Sequence, residues 1–140
     1  MPAMKIAFLA STFLPAIGGA EVVMHNLAIH LKRLGHEVHI ITWWGNWSRI
    51  RGQLPYPVHP LLPRSHTGGD KRRLNENGAV GSWVSRQVLL YQRLLSFDFI
   101  QIHNAYPLGP LCAPALARAG LPVGMLCTGG DLLYDPSLRY

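Results

Sequence analysis

KIAFLASTFLPAIGGAEVVMHNLAIHLKRLGHEVHIIT, residues 5–42, opens with Lys5–Ser11, a short apolar run of the kind that forms a strand buried on both faces. Pro15, Gly18 and Gly19 stop that strand and mark residues 12–19 as a loop. From Ala20 to Leu34 the residues Ala20, Val23, Leu27, Leu31 and Leu34 recur at helical spacing, His30, Lys32 and Arg33 fall off the stripe, and Gly35 supplies the stop. Glu37–Thr42, EVHIIT, is a second strand. Strand, glycine loop, helix and strand make one βαβ unit, which implies parallel strands joined by a right-handed crossover.

The alternation continues beyond it. Residues 43–81 are the least regular part, with Pro55, Pro57, Pro60 and Pro63, although Val58–Leu62 fits a short third strand that its prolines keep near an edge. Val84, Val88, Tyr91 and Leu95 form one face of a helix over residues 82–95, and Phe97–His103, FDFIQIH, reads as a fourth strand. Leu108–Ala119 is a helix closed by Gly120 and Pro122, and Pro122–Cys127, PVGMLC, is a fifth strand. The fold class is α/β: a Rossmann-like parallel sheet with helices on both faces, in one domain over residues 1–140. Past the turn Thr128-Gly129-Gly130-Asp131 no further helix is evident, so the domain is expected to be incomplete or to depend on a partner.

Composition agrees. Apolar residues make up 49% and charged residues 14%, which suits a sheet covered on both faces and excludes a disordered chain. Net charge is +6, and the excess gathers between Trp44 and Val80, where Arg49, Arg51, Arg64, Lys71, Arg72 and Arg73 are opposed only by Asp70 and Glu76. Such a segment fits a solvated loop as well as contact with phosphates or an anionic membrane face. No nucleic-acid motif accompanies it, so nucleic acid is not expected as a partner. Cys112 and Cys127 have no metal-ligand or redox spacing, and buried free thiols in a cytoplasmic protein are expected. No apolar run approaches the ~20 residues that span a bilayer. The expected location is the cytoplasm, peripheral at most to the inner face of a membrane.

Ligands of open α/β sheets bind beyond the carboxyl ends of the strands. Three such ends carry unusual residues: Thr12–Glu21 (TFLPAIGGAE), His103–Pro107 (HNAYP) and Thr128–Asp131 (TGGD). Gly18 and Gly19 before a helix let a ligand approach the backbone, where free N–H groups and the helix's positive end favour phosphate; the same glycines also fit a plain turn. Glu21 suits the first helical turn whether or not it binds anything. His103 at a buried strand end fits a structural residue as well as a ligand contact, while Asn104 and Tyr106 suit a sugar through amide hydrogen bonds and ring stacking. Asp131 suits a base or a turn former. The other histidines show no ligand spacing, and Trp43, Trp44 and Trp47 fit core or lid. A P-loop is excluded by the lack of GxxxxGK[ST], and a nicotinamide dehydrogenase is disfavoured by the lack of GxGxxG and of an acid after the second strand.

Residues 5–42 resemble the opening of family 4 glycosyltransferases of the GT-B fold, whose strand, "P…GGAE" loop and helix lead into "LxxxGHEVxVxT". FDFIQIHNAYPLGP resembles that family's "DVIHxHNxxPL", and LPVGMLCTGGDLL its "PVVxTxHGGDL". The resemblance implies the acceptor-side half of a two-domain, retaining enzyme that moves a sugar from a nucleotide-diphosphate co-substrate to a hydroxyl in glycan or polysaccharide assembly, with no metal and no further cofactor. It places Gly18 and Gly19 near the donor diphosphate and matches Asp131 and Thr128 to the family's turn at the reaction centre, while Glu21, His103, Asn104, Tyr106, Gly129 and Gly130 stay candidate substrate contacts by their own chemistry and position. Thr128 stands where the family usually has histidine, and a hydroxyl is no comparable base near neutral pH. The family's donor domain, with its E-x7-E pattern, is not in these residues, so a donor-binding domain or partner chain is expected to supply it. The rival expectation is a non-catalytic binding or scaffolding subunit.

Overall fold

The computed structural model describes residues 2–62, 78–103 and 105–127, with the backbone alone for residues 78–80 and 105–107. Among the described residues nine elements follow one another: β1 (Lys5–Ala10), α1 (Gly19–Arg33), β2 (Glu37–Trp43), α2 (Trp44–Ile50), β3 (Val58–Leu61), α3 (Gly78–Leu95), β4 (Phe99–His103), α4 (Ala105–Arg118) and β5 (Val123–Leu126). The strands form one sheet in the order β3-β2-β1-β4-β5, every pair parallel. The chain builds outward from β1 through β2 to β3, then crosses back and lays β4 on the other flank of β1. That reversal sets a topological switch point between β1 and β4, where Ala10 pairs with His103.

Helices cover both faces because β1 and β2 carry large apolar side chains on each. Ala7, Leu9, Ile41, Trp43, Ile100 and Ile102 pack against α3 and α4 through Val84, Val88, Leu108, Cys112 and Leu116. On the opposite face Ile6, Phe8, Val38 and Ile40 pack against α1 through Met24 and Ala28 and against Ile50 of α2. The apolar stripe expected on α1 is displaced: Val23 and Leu34 are exposed, and the buried line is Glu21, Met24 and Ala28. Helical periodicity marks an apolar row, but the small Ala28 and flexible Met24 fit closer to the sheet than β-branched Val23. Residues 43–50 are also more regular than their surroundings in sequence suggested, since Trp43 completes β2 as a fully buried core residue and Trp44 starts α2. Cys112 is buried as expected, whereas Cys127, just past the edge strand β5, is exposed.

The joints follow the backbone chemistry. Gly35 and Gly120 adopt φ of +91° and +74° where α1 and α4 end. Pro60 is tolerated within β3 because that strand is an edge. After α3 the positive φ, 56°, falls on Ser96, while the Gln92 side chain clamps the turn by accepting from Phe97 N at 3.1 Å and donating to Phe97 O at 3.0 Å. Ser96→Gly is therefore expected to raise unfolding stability by about 0.5 kcal/mol, relief of left-handed strain being partly offset by a freer unfolded chain. A urea midpoint equal to or below that of the parent chain would contradict it. Among the described residues no helix is long and apolar enough to cross a membrane.

Candidate active site

The carboxyl ends of β1 and β4 lie side by side, and each presents a polar group with nothing to satisfy it. Ser11, 1% exposed, directly follows Ala10, and its Oγ has no hydrogen-bond partner. His103, 2% exposed, ends β4, and its Nε2 likewise has none among the described residues. Buried polar groups are nearly always paired, so two orphans at adjacent strand tips mark a place where hydrogen bonds from groups beyond the described residues would be received. The His103 ring packs on Phe8 with centroids 4.5 Å apart, which fixes its direction. Burial holds the imidazole well below its usual range, at a pKa of about 4, so at neutral pH it is an uncharged hydrogen-bonding group.

The loop after β1 is anchored from below by Phe13, fully buried against α1's face of the sheet, with Ala16 N donating to Phe13 O at 3.3 Å and a cis Leu14-Pro15 peptide between them. From the side, Asn46 of α2 donates to Thr42 Oγ1 at 3.0 Å and reaches the Ser11 carbonyl at 3.5 Å. Gly18 then caps α1 in an extended conformation with no side-chain hydrogen bond to the helix's first N–H groups, and Val22 N closes the first turn on Gly18 O at 3.1 Å.

The two loop glycines have different surroundings. At Gly18 an added Cβ would run into the carboxylate of Glu21, which folds back over it from the first turn. Glu21 is 8% exposed and has no cationic partner among the described residues; the positive end of α1 is the charge that favours it there. The obstacle at Gly18 is the movable end of one side chain, so packing alone does not demand glycine there. At Gly19 an added Cβ would meet nothing within 4 Å, and φ does not demand glycine. The described residues give no packing reason for Gly19.

Of the residues singled out in the sequence, Gly18, Gly19, Glu21 and His103 sit on β1's loop, α1 and β4, the elements that flank the switch point. Asn104, Thr128, Gly129, Gly130 and Asp131 lie outside the described residues, as does the side chain of Tyr106. Ser11 and Asn46 escaped the sequence reading: a serine ending a strand looks like an ordinary terminator, and α2 was hidden among glycines and prolines. Four of the other described histidines are engaged within the fold, and His30 is exposed on α1. His36 Nδ1 accepts from Met4 N at 3.1 Å, His25 Nδ1 meets Tyr56 Oη at 2.6 Å, and His39 bridges Glu37 and His59 at 2.7 and 2.8 Å. No group of three or more histidine, cysteine or acidic side chains that could hold a metal exists among the described residues. A shallow groove of ≈ 470 Å³, lined by Trp47, Arg51, Leu54 and Tyr56 among others, lies beside α2.

The sequence profile of Glycosyltransferase Family 4 matches residues 17–132. No curated protein matches the chain in sequence. Among solved structures, the glycosyltransferase SnogD from Streptomyces nogalater superposes with a TM-score of 0.63 at 19% identity, covering 90% of this chain and 33% of SnogD. The glycosyltransferase SsfS6 from Streptomyces sp. SF2575, complexed with thymidine diphosphate, gives 0.56 at 16% identity, covering 89% of this chain and 38% of its own. The C-terminal domain of the PF1911 hydrogenase from Pyrococcus furiosus shares the fold as well, at a TM-score of 0.55 and 12% identity over 90% of this chain and 95% of that domain. The likenesses establish the Rossmann-like fold, and this chain spans little more than a third of the matched glycosyltransferases.

Proposed function

The chain belongs to glycosyltransferase family 4, and on that premise we propose that it forms the acceptor side of a retaining enzyme that moves a sugar from a nucleotide-diphosphate sugar to a hydroxyl. The observation that carries the reading is Gly19: a glycine at the start of the 15-residue helix that follows β1's loop, with no described atom within 4 Å of where a side chain would begin. A pyrophosphate resting on that flank would meet the free N–H groups of α1's first turn, and its growing charge as the glycosidic bond breaks would be stabilised by fixed amide donors. Glu21 already answers part of the helix's positive end, so directed N–H donors rather than net field would do most of this.

His103 and Ser11 suit the sugar or acceptor hydroxyls. Both are neutral and buried, and neither atom has a partner among the described residues. The uncharged imidazole would orient a hydroxyl rather than carry a full proton transfer near neutral pH, since its pKa is about 4. Asp131 and Thr128 are assigned to the reaction centre by the family resemblance, and Asn104, Tyr106, Gly129 and Gly130 to substrate contacts by their chemistry at the strand ends. The donor-binding half would come from a further domain or another chain. The thymidine diphosphate bound to SsfS6 supports a sugar nucleotide as the co-substrate. We further propose glycan or polysaccharide assembly in the cytoplasm, with the basic segment between Trp44 and Val80 touching an anionic membrane face.

The test joins residues 1–140 to a donor-binding half of the family and assays transfer from nucleotide-diphosphate sugars to hydroxyl acceptors. Gly19→Ala is expected to lower transfer about tenfold by holding the diphosphate off the amides, while the isolated chain unfolds at the same or a higher urea concentration because alanine favours the helix. Unchanged transfer would remove the loop from the mechanism. Absence of transfer by the unsubstituted pair, with Thr128 in the place of the family's histidine, would favour the scaffolding role instead.

A further inference from the structure

Helix α3 is apolar on two sides. Its inner face, with Val84 and Val88 fully buried, packs on the sheet. On the opposite side Trp83, Leu90 and Leu94 are 47%, 54% and 68% exposed. With Gln87 they fall at steps of four, three and four residues, which on an α-helix is one narrow line rather than a scatter. A helix apolar on its outer side as well as its inner one normally has something against each.

The flanks of that line say what would fit. Within the line Gln87 is tied to Leu62 on one side, accepting from Leu62 N at 2.7 Å and donating to Leu62 O at 2.9 Å, and Trp83 Nε1 donates to the same carbonyl at 3.0 Å. The tryptophan ring is thereby fixed on the surface rather than free to fold away. On the other side stand Arg86 and Arg93, both exposed and neither paired with a carboxylate among the described residues. Neither α3 nor the neighbouring α4 contains an acidic residue. The strip is thus apolar along its centre and cationic along one edge, over about 16 Å of helix.

We propose that the outer face of α3 docks an amphipathic α-helix of another protein, its leucine-type row covering Trp83, Leu90 and Leu94 and its carboxylates facing Arg86 and Arg93. A second copy of this chain fits less well, because an antiparallel two-fold pairing of α3 helices sets Arg86 and Arg93 against the same arginines. A membrane fits less well too: the line is one residue wide, whereas interfacial helices bury a broad apolar face. The matching shape is another narrow row at three- and four-residue spacing.

The test uses two synthetic, fluorescently labelled helices of roughly sixteen residues, long enough to run the strip. Each carries leucines at alternating three- and four-residue steps, flanked in one by glutamates and in the other by lysines. Anisotropy titration of residues 1–140 is expected to give micromolar binding of the glutamate helix, at least about tenfold tighter than the lysine helix. Arg86→Glu with Arg93→Glu should invert that preference, and Leu90→Asp with Leu94→Asp should weaken binding at least about tenfold with circular dichroism unchanged. The proposal is overturned by equal affinity for both helices, by no binding, or by binding that survives the leucine substitutions. It is equally overturned if the chain sediments with phosphatidylglycerol vesicles but ignores both helices, or forms a dimer that Leu90→Asp dissolves.

Discussion

His103→Leu is expected to make the domain more stable and the enzyme about a hundredfold slower. The ring is 2% exposed, packs on Phe8, and carries an Nε2 with no partner among the described residues. A buried polar atom left unpaired costs about 1–3 kcal/mol, and replacing it with an apolar group of similar volume removes that cost. If His103 served only the fold, leucine would therefore be the better residue, and about 1 kcal/mol of added stability should follow once imperfect packing is subtracted. Transfer should move the opposite way. A fixed donor or acceptor aimed at a reacting sugar accounts for about 10²–10³ in rate when removed. The measurement pairs a urea titration of residues 1–140 with a transfer assay on the joined two-domain enzyme. His103→Gln, which restores a hydrogen-bonding group without the ring, should recover part of the rate and lose the gain in stability. A leucine variant that is more stable and fully active would show that His103 is a structural residue with a tolerated defect.

The split between what was legible in residues 1–140 and what was not follows the range of the forces involved. β1, α1 and β2 were readable because strand burial and helical periodicity are local, and Gly35 punctuates them where a positive φ is needed. The edge position of β3 followed from Pro60, a missing N–H that a central strand does not tolerate. The face that α1 buries was misplaced because the choice between Val23 and Met24 rests on how closely the helix approaches the sheet, a tertiary quantity. The site divides in the same way. Gly18 and Gly19 announce themselves together, yet only the positions of neighbouring atoms separate the glycine that the Glu21 carboxylate covers from the one with no described atom within 4 Å of an added Cβ. Ser11 becomes a candidate solely because the strand order brings β4 beside β1 and leaves its hydroxyl buried without a partner. Asn46 needed α2, whose seven residues give too short a window for periodicity to speak.

Acidification from pH 7 should weaken the fold well before its carboxylates titrate. His59 and His103 are both held at a pKa of about 4, His103 by burial and His59 by burial and then by the neighbouring His39, against 6.5 for the free side chain. Between those values the unfolded chain takes up protons that the folded chain refuses, so stability falls as pH falls through about 6.5 and levels once the folded form protonates near 4. Each unit of difference corresponds to about 1.4 kcal/mol, giving an upper figure of about 3 kcal/mol for nearly inaccessible His103. The partly buried His59 contributes less after solvent screening. Its geometry gives the effect a structural reading: His39 Nδ1 and His59 Nε2 are 2.8 Å apart and share one hydrogen, while His39 Nε2 is engaged with Glu37 at 2.7 Å. A proton added to His59 charges a half-buried ring on β3, at the seam with β2, and that charge costs the folded form more than the open chain. Glu37, whose pKa is lowered chiefly by the His39 hydrogen bond, adds a further loss only below its ordinary 4.5, so the window from about 6.5 to 5 belongs to the histidines. Urea midpoints at pH 7.5, 6.5, 5.5 and 5.0 should therefore decline for the parent chain. His103→Leu should flatten most of the slope, and His59→Gln, which keeps a partner for His39 without titrating, should flatten part of the remainder. Parallel slopes in all three chains would place the acid sensitivity elsewhere.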